Sequence, residues 1–278
     1  MEKYRSEFRV VKMAKVLDVS KSGFYAYLNR PKSSREIEND LLLEKIKTIH
    51  KRSHGIYGYP RITSELKNDG APSKNRVYRL MRKNGIKSKT VKKFKATTNS
   101  NHNLPVAENL LARKFMADKP NQKWVSDITY IATDEGWLYL AGVMDLYGRA
   151  IVGFSMADHM RKSLVIKALN QAIGRTGAMK GLLVHSDRGV QYASKEYQAI
   201  LTRNGFICSM SRKGNCYDNA PMESFWGKLK QEWLYGKRFK SRLEAKVAIF
   251  EYIEVFYNRQ RIHSSNRYRV PMETFKVA

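Results

Sequence analysis

The second half of the chain contains three short runs of β-forming residues. Turn residues separate these runs from one another. The runs cover residues 124–131, 137–144 and 150–155, and apolar and polar positions alternate in the first of them. The connecting residues 133–136 and 145–148 contain Gly and Asp, which are common in turns. Connections this short predict three antiparallel strands in a meander.

After the meander, apolar spacing typical of helices alternates with short apolar strand-like runs. The predicted elements are helices at 161–175, 194–204 and 219–236, strands at 182–185 and 206–210, and a loop at 211–218. The order β-β-β-α-β-α-β-α predicts an α/β fold, a ribonuclease-H-like mixed sheet covered by helices. A last helix at 241–258 is expected to pack through Val247, Phe250, Ile253 and Phe256. Arg259, Arg261 and His263 follow it and could contact DNA or a second subunit.

The first half of the chain predicts small helical units. A helix at 7–17 is indicated by the spacing of Phe8, Val11, Ala14 and Leu17. After a break at 18–19, Ser20 suits the N-cap of a second helix that contains Phe24, Tyr25 and Leu28. This is the outline of a helix-turn-helix, and it would expose Lys21 and Ser22 to DNA. A long charged helix is expected at about 33–52.

Residues 61–84 repeat that outline. Turn residues at 68–72 separate two helices, and Ser73 caps the second, at 74–83. Val77, Leu80 and Met81 form its apolar stripe, and its basic side chains are Lys74, Arg76, Arg79, Arg82 and Lys83. A solvated helix face normally mixes charges of both signs, but residues 70–107 contain no acidic residue. The pattern therefore favours contact with DNA over a merely solvated surface.

Composition narrows the classes of partner. The 278 residues carry a net charge of +27, and residues 1–120 hold 28 basic against 11 acidic side chains, or +17 of it. Such an excess favours nucleic acid, with loose binding to membranes or ribosomes as the alternative. Two cysteines and the lack of an 18-residue apolar stretch exclude a disulfide scaffold and a spanning helix. We expect a cytosolic, nucleoid-associated protein.

The charge pattern divides the chain into five predicted regions. Residues 87–103 are polar, basic and without helical spacing, which is typical of a linker. The regions are helix-turn-helix-like units at 1–55 and 56–86, a basic linker at 87–119, the α/β core at 120–240 and a helical extension at 241–278.

Three carboxylates occupy positions where such a core places a site. Asp127 lies within the first strand, Asp187 ends the fourth, and Glu223 lies on the last helix of the core. Carboxylate oxygens suit Mg²⁺, and acids on either side of a pair of ions suit in-line phosphoryl transfer. Taken singly, each has an ordinary alternative: a hydrogen-bonded strand acid, a turn acid and a surface acid.

Further candidates surround these acids. Asn219, Glu223, Trp226, Gly227 and Lys230 share one helix face, so Lys230 could hold a DNA phosphate beside the acids; the alternative is a solvated lysine. Near the acids in sequence are His185, Asn219, Arg212 and Lys213, which are candidates for the DNA channel. The alternatives are strand packing for His185, capping for Asn219 and solvation for the basic pair.

Several motifs together resemble a known family. They are Tyr57-Gly-Tyr-Pro-Arg-Ile62, Asn121-Gln-Lys-Trp-Val-Ser-Asp-Ile-Thr-Tyr-Ile131, His185-Ser-Asp-Arg-Gly-Val-Gln-Tyr192, Ser209-Met-Ser-Arg-Lys-Gly-Asn-Cys-Tyr-Asp-Asn-Ala220 with Glu223, Ser224 and Phe225, and Phe256-Tyr-Asn-Arg-Gln-Arg-Ile-His263. The chain resembles the DDE transposases of bacterial insertion sequences, within the retroviral-integrase superfamily, and more narrowly OrfB of insertion-sequence family three. The 35 residues between Asp187 and Glu223, and Lys230 seven residues further on, match that family's spacing.

The resemblance implies a chemistry and a set of partners. Asp127, Asp187 and Glu223 would bind two Mg²⁺ ions, with Mn²⁺ as a substitute, and would cut and join DNA at the inverted-repeat ends of the element. The implied partners are those ends, the target DNA and further copies of the chain, at least as a dimer. An upstream-frame protein, OrfA, or a fusion with it is also implied, and the residues themselves contain no sustained heptad zipper.

Two other functions remain open at the level of sequence. One is a DNA-binding regulator whose core is catalytically dead, and the intact acid triad argues against it. The other is a nuclease of the same fold that acts on RNA–DNA hybrids. The basic first half favours recognition of duplex ends over that reading.

Overall fold

A five-stranded mixed sheet is the centre of the molecule. The computed structural model describes residues 1–68, 70–89, 106–212 and 215–276. The strands lie in the order β3-β2-β1-β4-β5, with bounds β1 Lys123–Thr133, β2 Gly136–Asp145, β3 Ile151–Ala157, β4 Leu183–Ser186 and β5 Ile207–Met210. β1, β2 and β3 are antiparallel, whereas β4 and β5 run parallel to β1. The predicted meander and ribonuclease-H-like fold are confirmed.

Helices cover both faces of the sheet, because successive strand residues point to opposite sides. Helices α6 (Lys162–Thr176) and α7 (Lys195–Arg203) cover the face that carries Ala141 and Val143. Helices α8 (Ala220–Leu229) and α9 (Arg242–Phe250) cover the face that carries Leu138 and Leu140. α8 is shorter than the predicted helix at 219–236. A 3₁₀ turn, Cys216–Asn219, precedes it, and π-helical turns, Lys230–Leu234, follow it.

Among the described residues, five α-helices precede the sheet. Their bounds are α1 Val10–Val16, α2 Lys21–Asn29, α3 Ser34–Arg52, α4 Tyr59–Glu65 and α5 Lys74–Lys83. The side chain of Ser20 accepts a hydrogen bond from the Gly23 amide at the start of α2, and Ser73 caps α5 in the same way through Arg76. The small all-α region is therefore confirmed together with both predicted caps. Nearly all of the predicted 87–103 linker lies outside the described residues.

The first predicted helix buries little of its apolar surface. Of the four apolar residues that indicated the first helix, only Ala14 is buried, and Phe8, Val11 and Leu17 are more than half exposed. Val11 and Ala14 lie on the short helix α1, with Phe8 before it and Leu17 just after it, and α1 contacts little beyond α2. The helical spacing therefore identified an element there without identifying a core.

The predicted packing of the last long helix is half correct. Ile253 and Phe256 are buried, but Val247 and Phe250 are mostly exposed. Positions spaced strictly by three rotate about 60° backwards at each step, so such a series drifts off one face. The buried face instead follows Ala245, Ile249, Tyr252 and Phe256, and π-helical turns from Glu251 to Tyr257 bring Tyr257 into the core as well.

The helical region packs directly on the α/β core. Tyr57, just before α4, is buried, and the His54 ring packs edge-on against Trp233 with 4.8 Å between ring centroids. One continuous hydrophobic cluster joins α3, α4 and α5 to α8 and α9. Among the described residues, no helix is both long and apolar enough to cross a membrane.

Candidate active site

Asp127 lies on β1, on the sheet face that α8 covers. It pairs in register with Gly142 of β2, and the Trp226 indole N–H of α8 donates a 3.0 Å hydrogen bond to its Oδ2. A Cβ atom at position 142 would lie 2.8 Å from the Trp226 ring. The missing side chain of Gly142 therefore makes the room in which Trp226 reaches Asp127.

Asp187 follows the C-terminal end of β4, which runs parallel to β1. Its Oδ1 accepts a 2.9 Å hydrogen bond from the Gly189 amide, so the side chain shapes the turn in which it lies. The turn role foreseen as an ordinary alternative is therefore real. This hydrogen bond uses one lone pair of a half-buried carboxylate.

Glu223 projects from the first turn of α8. The start of this helix is held to β1 because Asn219 Nδ2 donates a 3.0 Å hydrogen bond to the Ser126 carbonyl oxygen, next to Asp127. Pro221 lies in the first turn, where its missing amide hydrogen costs no helical bond. The hydrogen bond between Asn219 and Ser126 sets where along β1 the helix begins, and thus the position of Glu223.

The three carboxylates are electrostatic neighbours. The pKa of Asp127 is raised to about 8, mainly by burial, next by the negative charge of Asp187, and to a smaller extent by that of Glu223. Burial also raises the pKa of Glu223. The structure thus brings the three sequence-predicted acids into one field, although no three His, Cys, Asp or Glu side chains in the described ranges converge closely enough to hold a metal ion.

Lys230 lies near the acids, at the start of the π-helical turns. Its ammonium group is 5.1 Å from the centre of the Tyr130 ring. Burial lowers the pKa of Lys230, and the charge of Asp127 opposes that effect. The lysine expected on the Glu223 face is therefore within electrostatic reach of Asp127.

His185 and Asn219 face the interior. The two ring nitrogens of His185 lie 2.8 Å from Ser209 Oγ and 3.1 Å from Ser211 Oγ, and burial lowers its pKa to about 4. The neutral ring thus fastens β4 to β5 two residues before Asp187. Asn219 occupies the N-cap position of α8, but its side chain contacts Ser126 instead of capping the helix.

The loop before α8 is organised by a carboxylate that the sequence analysis did not single out. Asp218 is fully buried and accepts hydrogen bonds from the backbone and guanidinium of Arg212, from Arg113 and from Asn109. Arg212 is exposed, but its guanidinium group donates hydrogen bonds to Asp218. Lys213 lies outside the described residues. The only sequence signal for Asp218 was its place inside the quoted 209–220 motif.

The candidate DNA-contacting side chains of the helical region lie mostly at the surface. Those that are exposed are Lys21, Ser22, Lys74, Arg79, Arg82 and Lys83. Arg76 is half-buried because it donates to Asn39 and Glu38 of α3. It therefore also ties α5 to α3.

Comparisons with known proteins identify the family of the chain. Residues 36–94 match the family described as HTH-like domain, and residues 117–216 and 204–271 match two families described as Integrase core domain. The chain is 43% identical over 267 residues, 95% of its length and 93% of the relative's, to Transposase InsF for insertion sequence IS3A of Escherichia coli. This chain belongs to the IS3-family transposases.

A second relative extends the family match. The IS3-family chain is 49% identical over 253 residues, 91% of its own length and 93% of the relative's, to an uncharacterized 31 kDa protein of insertion element IS600 from Shigella sonnei. Among solved structures, a simian T-cell lymphotropic virus intasome in complex with PP2A regulatory subunit B56 gamma aligns with a TM-score of 0.49 at 17% identity, over 83% of this chain and 74% of that one.

Proposed function

We propose that this transposase recognises the inverted-repeat ends of its insertion sequence and performs Mg²⁺-dependent strand cleavage and strand transfer there. The observation that carries the proposal is the electrostatic coupling of Asp127 to Asp187 and Glu223. Like charges gathered in a half-buried site are unfavourable alone, and divalent cations are the partners that such carboxylates favour. The donor set therefore fits Mg²⁺, with Mn²⁺ as a substitute.

Asp127, Asp187 and Glu223 are the proposed ligands of two ions. When bound, the ions would supply charge stabilisation for the attacking and leaving oxygens of a phosphodiester. Trp226 holds one oxygen of Asp127 and so orients the other. Lys230 would contact a DNA phosphate that passes the acids, because its charge lies beside Asp127.

The same proposal includes the five regions of the chain predicted from the sequence. It also includes further DNA contacts and the assembly of several copies. Lys21, Ser22, Lys74, Arg76, Arg79, Arg82 and Lys83 would contact duplex DNA, with Arg212 and Lys213 near the acids. Burial of His185 and Asn219 favours a supporting role for these two beside the DNA channel. Leu243, Val247 and Phe250 form an exposed apolar face on α9, which supports at least a dimer. An OrfA partner and a site of action in the bacterial cytosol complete the proposal.

Strand transfer with the Asp187→Asn variant tests the chemistry. Asparagine can still accept the Gly189 amide hydrogen, so the turn is kept while the negative charge is lost. We expect the full-length variant to bind an end-containing duplex and to lose cleavage and joining by about 10³-fold or more, on the scale of lost charge stabilisation in catalysis. The exposed surface acid Asp158, changed to Asn, is the matched control and should act like wild type.

Two results would contradict the proposal. Wild-type DNA binding without cleavage under Mg²⁺ or Mn²⁺ would indicate a regulator with a dead core. Cutting of RNA–DNA hybrids without any joined product would indicate a nuclease instead.

A further inference from the structure

A second cluster of charge, positive this time, lies on the other side of α8 from the acids. Lys228 follows Glu223 by five residues, which places it about 140° away around the helix. Around it are basic side chains from three other segments: Arg61 of α4, Arg149 between β2 and β3, and Arg261 and His263 beyond the π-helical turns. The cluster therefore joins the HTH-like region to the helix that carries Glu223.

This cluster contains few groups of opposite charge. Asp145 acts on Arg149, and Glu232 is bound by Arg261 through Nε at 2.7 Å and through Nη2. Tyr252 also donates to Glu232. In the described part of the chain, Arg61 and Lys228 form no ion pair with any Asp or Glu. Two half-buried cations thus lack a carboxylate of their own.

Hydrogen-bond donors in the cluster also outnumber acceptors. His263 Nδ1 lies 3.3 Å from the Ser265 amide nitrogen, and His263 Nε2 lies 3.5 Å from Lys228 Nζ. A neutral imidazole carries a hydrogen on one nitrogen, so one of these contacts sets a donor against a donor. The Nη1 atom of the buried Arg261 has no acceptor among the described residues. An oxyanion would accept from these groups together.

The titration behaviour agrees with the geometry. The pKa of His263 is lowered to about 3, first by burial and then by the charges of Lys228, Arg261, Arg149 and Arg61. Burial and the charge of Arg261 lower the pKa of Lys228 to about 8. Each group therefore experiences the others' positive charge, which a bound anion would relieve.

We propose that Arg61, Lys228 and His263, with Arg149 and Arg261 beside them, form a phosphate-binding site separate from the acidic centre, and that its ligand is a backbone phosphate of DNA. Tetrahedral phosphate oxygens accept several charge-assisted hydrogen bonds at once, and arginine is well suited to donate them. The identification of the ligand as DNA rests on the proposed function. A phosphate bound here would tie DNA held by the helical region to the helix that carries Glu223.

Thermal unfolding of the full-length chain tests the site itself. Inorganic phosphate should raise the Tm of wild type more than chloride does at equal ionic strength. The Lys228→Met variant removes the charge and keeps a chain of similar length, so it should lose the phosphate-specific shift. The exposed Lys167 of α6, changed to Met, is the matched control and should keep it. Equal shifts with phosphate and chloride in wild type would overturn the site.

Binding of a fluorescein-labelled duplex over a range of salt concentrations tests the ligand. Loss of one phosphate contact should reduce the slope of log affinity against log salt by about one in Lys228→Met, and not in Lys167→Met. An Arg61→Gln variant should reproduce the reduced slope, which guards against a folding defect at position 228. A phosphate-specific Tm shift with an unchanged slope would mean that the site takes free phosphate, and would overturn the assignment to DNA.

Strand transfer by wild type is measured on the same preparations. A phosphate-specific shift without any joined product would refute the proposed function and leave the phosphate site standing. Joined products without a phosphate-specific shift would support the proposed function and refute the phosphate site.

Discussion

At the residue scale, the acids depend on neighbours that carry no charge. Trp226 donates to Asp127, and Gly142 leaves the space for its ring. Asp127 and Glu223 could be predicted from the sequence because hard-ligand chemistry restricts the residue types and the strand–helix order restricts their places. Trp226 shared their helix face in the sequence, but its bond to Asp127 depends on the distance between α8 and β1.

Removal of the indole N–H should weaken the proposed metal site. In Trp226→Phe a ring remains but Asp127 loses its donor, and hydrogen bonds to charged groups are worth about 1.5–3 kcal/mol. We expect strand transfer to fall by about tenfold and the Mg²⁺ concentration for half-maximal activity to rise, as a magnesium titration will show. The same change at the half-exposed Trp137 is the control. An unchanged magnesium requirement in Trp226→Phe would leave this tryptophan a packing role only.

A methyl group at position 142 should disturb the same contact from the opposite side. In Gly142→Ala the new Cβ would meet the Trp226 ring at 2.8 Å, and overpacking of this kind costs about 1–3 kcal/mol. Urea unfolding measures the loss. The matched control is Gly174→Ala in α6, where nothing lies within 4 Å and alanine should stabilise the helix by about 0.5–1 kcal/mol. Equal effects of the two substitutions would contradict this account of Gly142.

At the element scale, the position of α8 is set at its start. Asn219 binds β1, and the turn just before it is held by Asp218 with Arg212 and Arg113. The existence of α8 and of the strands was predictable, because apolar spacing and turn residues are local signals. The change to π-helical turns after Leu229 was not, since no residue type encodes it and the packing around Glu232 accompanies it.

Asp218 should make the folded state sensitive to acid. Hydrogen bonds from Arg212 hold the pKa of Asp218 well below its ordinary value of 3.8, so its folded-state pKa is depressed. Such a group stabilises the fold above the unfolded-state pKa, and the stabilisation is lost as pH falls through the folded-state pKa. Asp218→Asn should therefore lose about 2–3 kcal/mol at pH 7, the scale of charged hydrogen bonds, and clearly less at pH 2, which is closer to the lowered folded-state pKa.

Urea unfolding at both pH values measures that difference. The exposed Asp158 again provides the control, and Asp158→Asn should give the same small change at either pH. A loss in Asp218→Asn that is equally large at pH 2 and pH 7 would contradict the role of its charge.

At the scale of the whole molecule, the helical region and the core behave as one packed body. The Tyr57 hydroxyl accepts a 2.8 Å hydrogen bond from the Ile262 amide and donates to the Gln260 carbonyl at 3.2 Å. These partners are more than 200 residues apart in the chain. The predicted regions at 56–86 and 241–278 therefore meet, which no local pattern in the sequence indicated.

Loss of the Tyr57 hydroxyl should loosen this junction. Tyr57→Phe would leave the buried Ile262 amide without its acceptor, at a cost of about 1–3 kcal/mol. Hydrogen exchange should show faster exchange at Ile262 and in the first turn of α4. Tyr235, which is mostly exposed, provides the control when changed to Phe. Equal exchange in the two variants would contradict the proposed link.

The sequence by itself determined the order of the elements, the caps Ser20 and Ser73, the α/β class and the acids expected at the site, because these depend on side-chain chemistry and short-range spacing. Only the tertiary structure decided that Trp226 donates a hydrogen bond to Asp127, that Val247 and Phe250 face outward, and that Lys228 and Arg61 share one cluster. Such contacts arise when helices settle against a sheet. Their geometry depends on volumes and distances between distant segments, which periodicity along one segment does not contain.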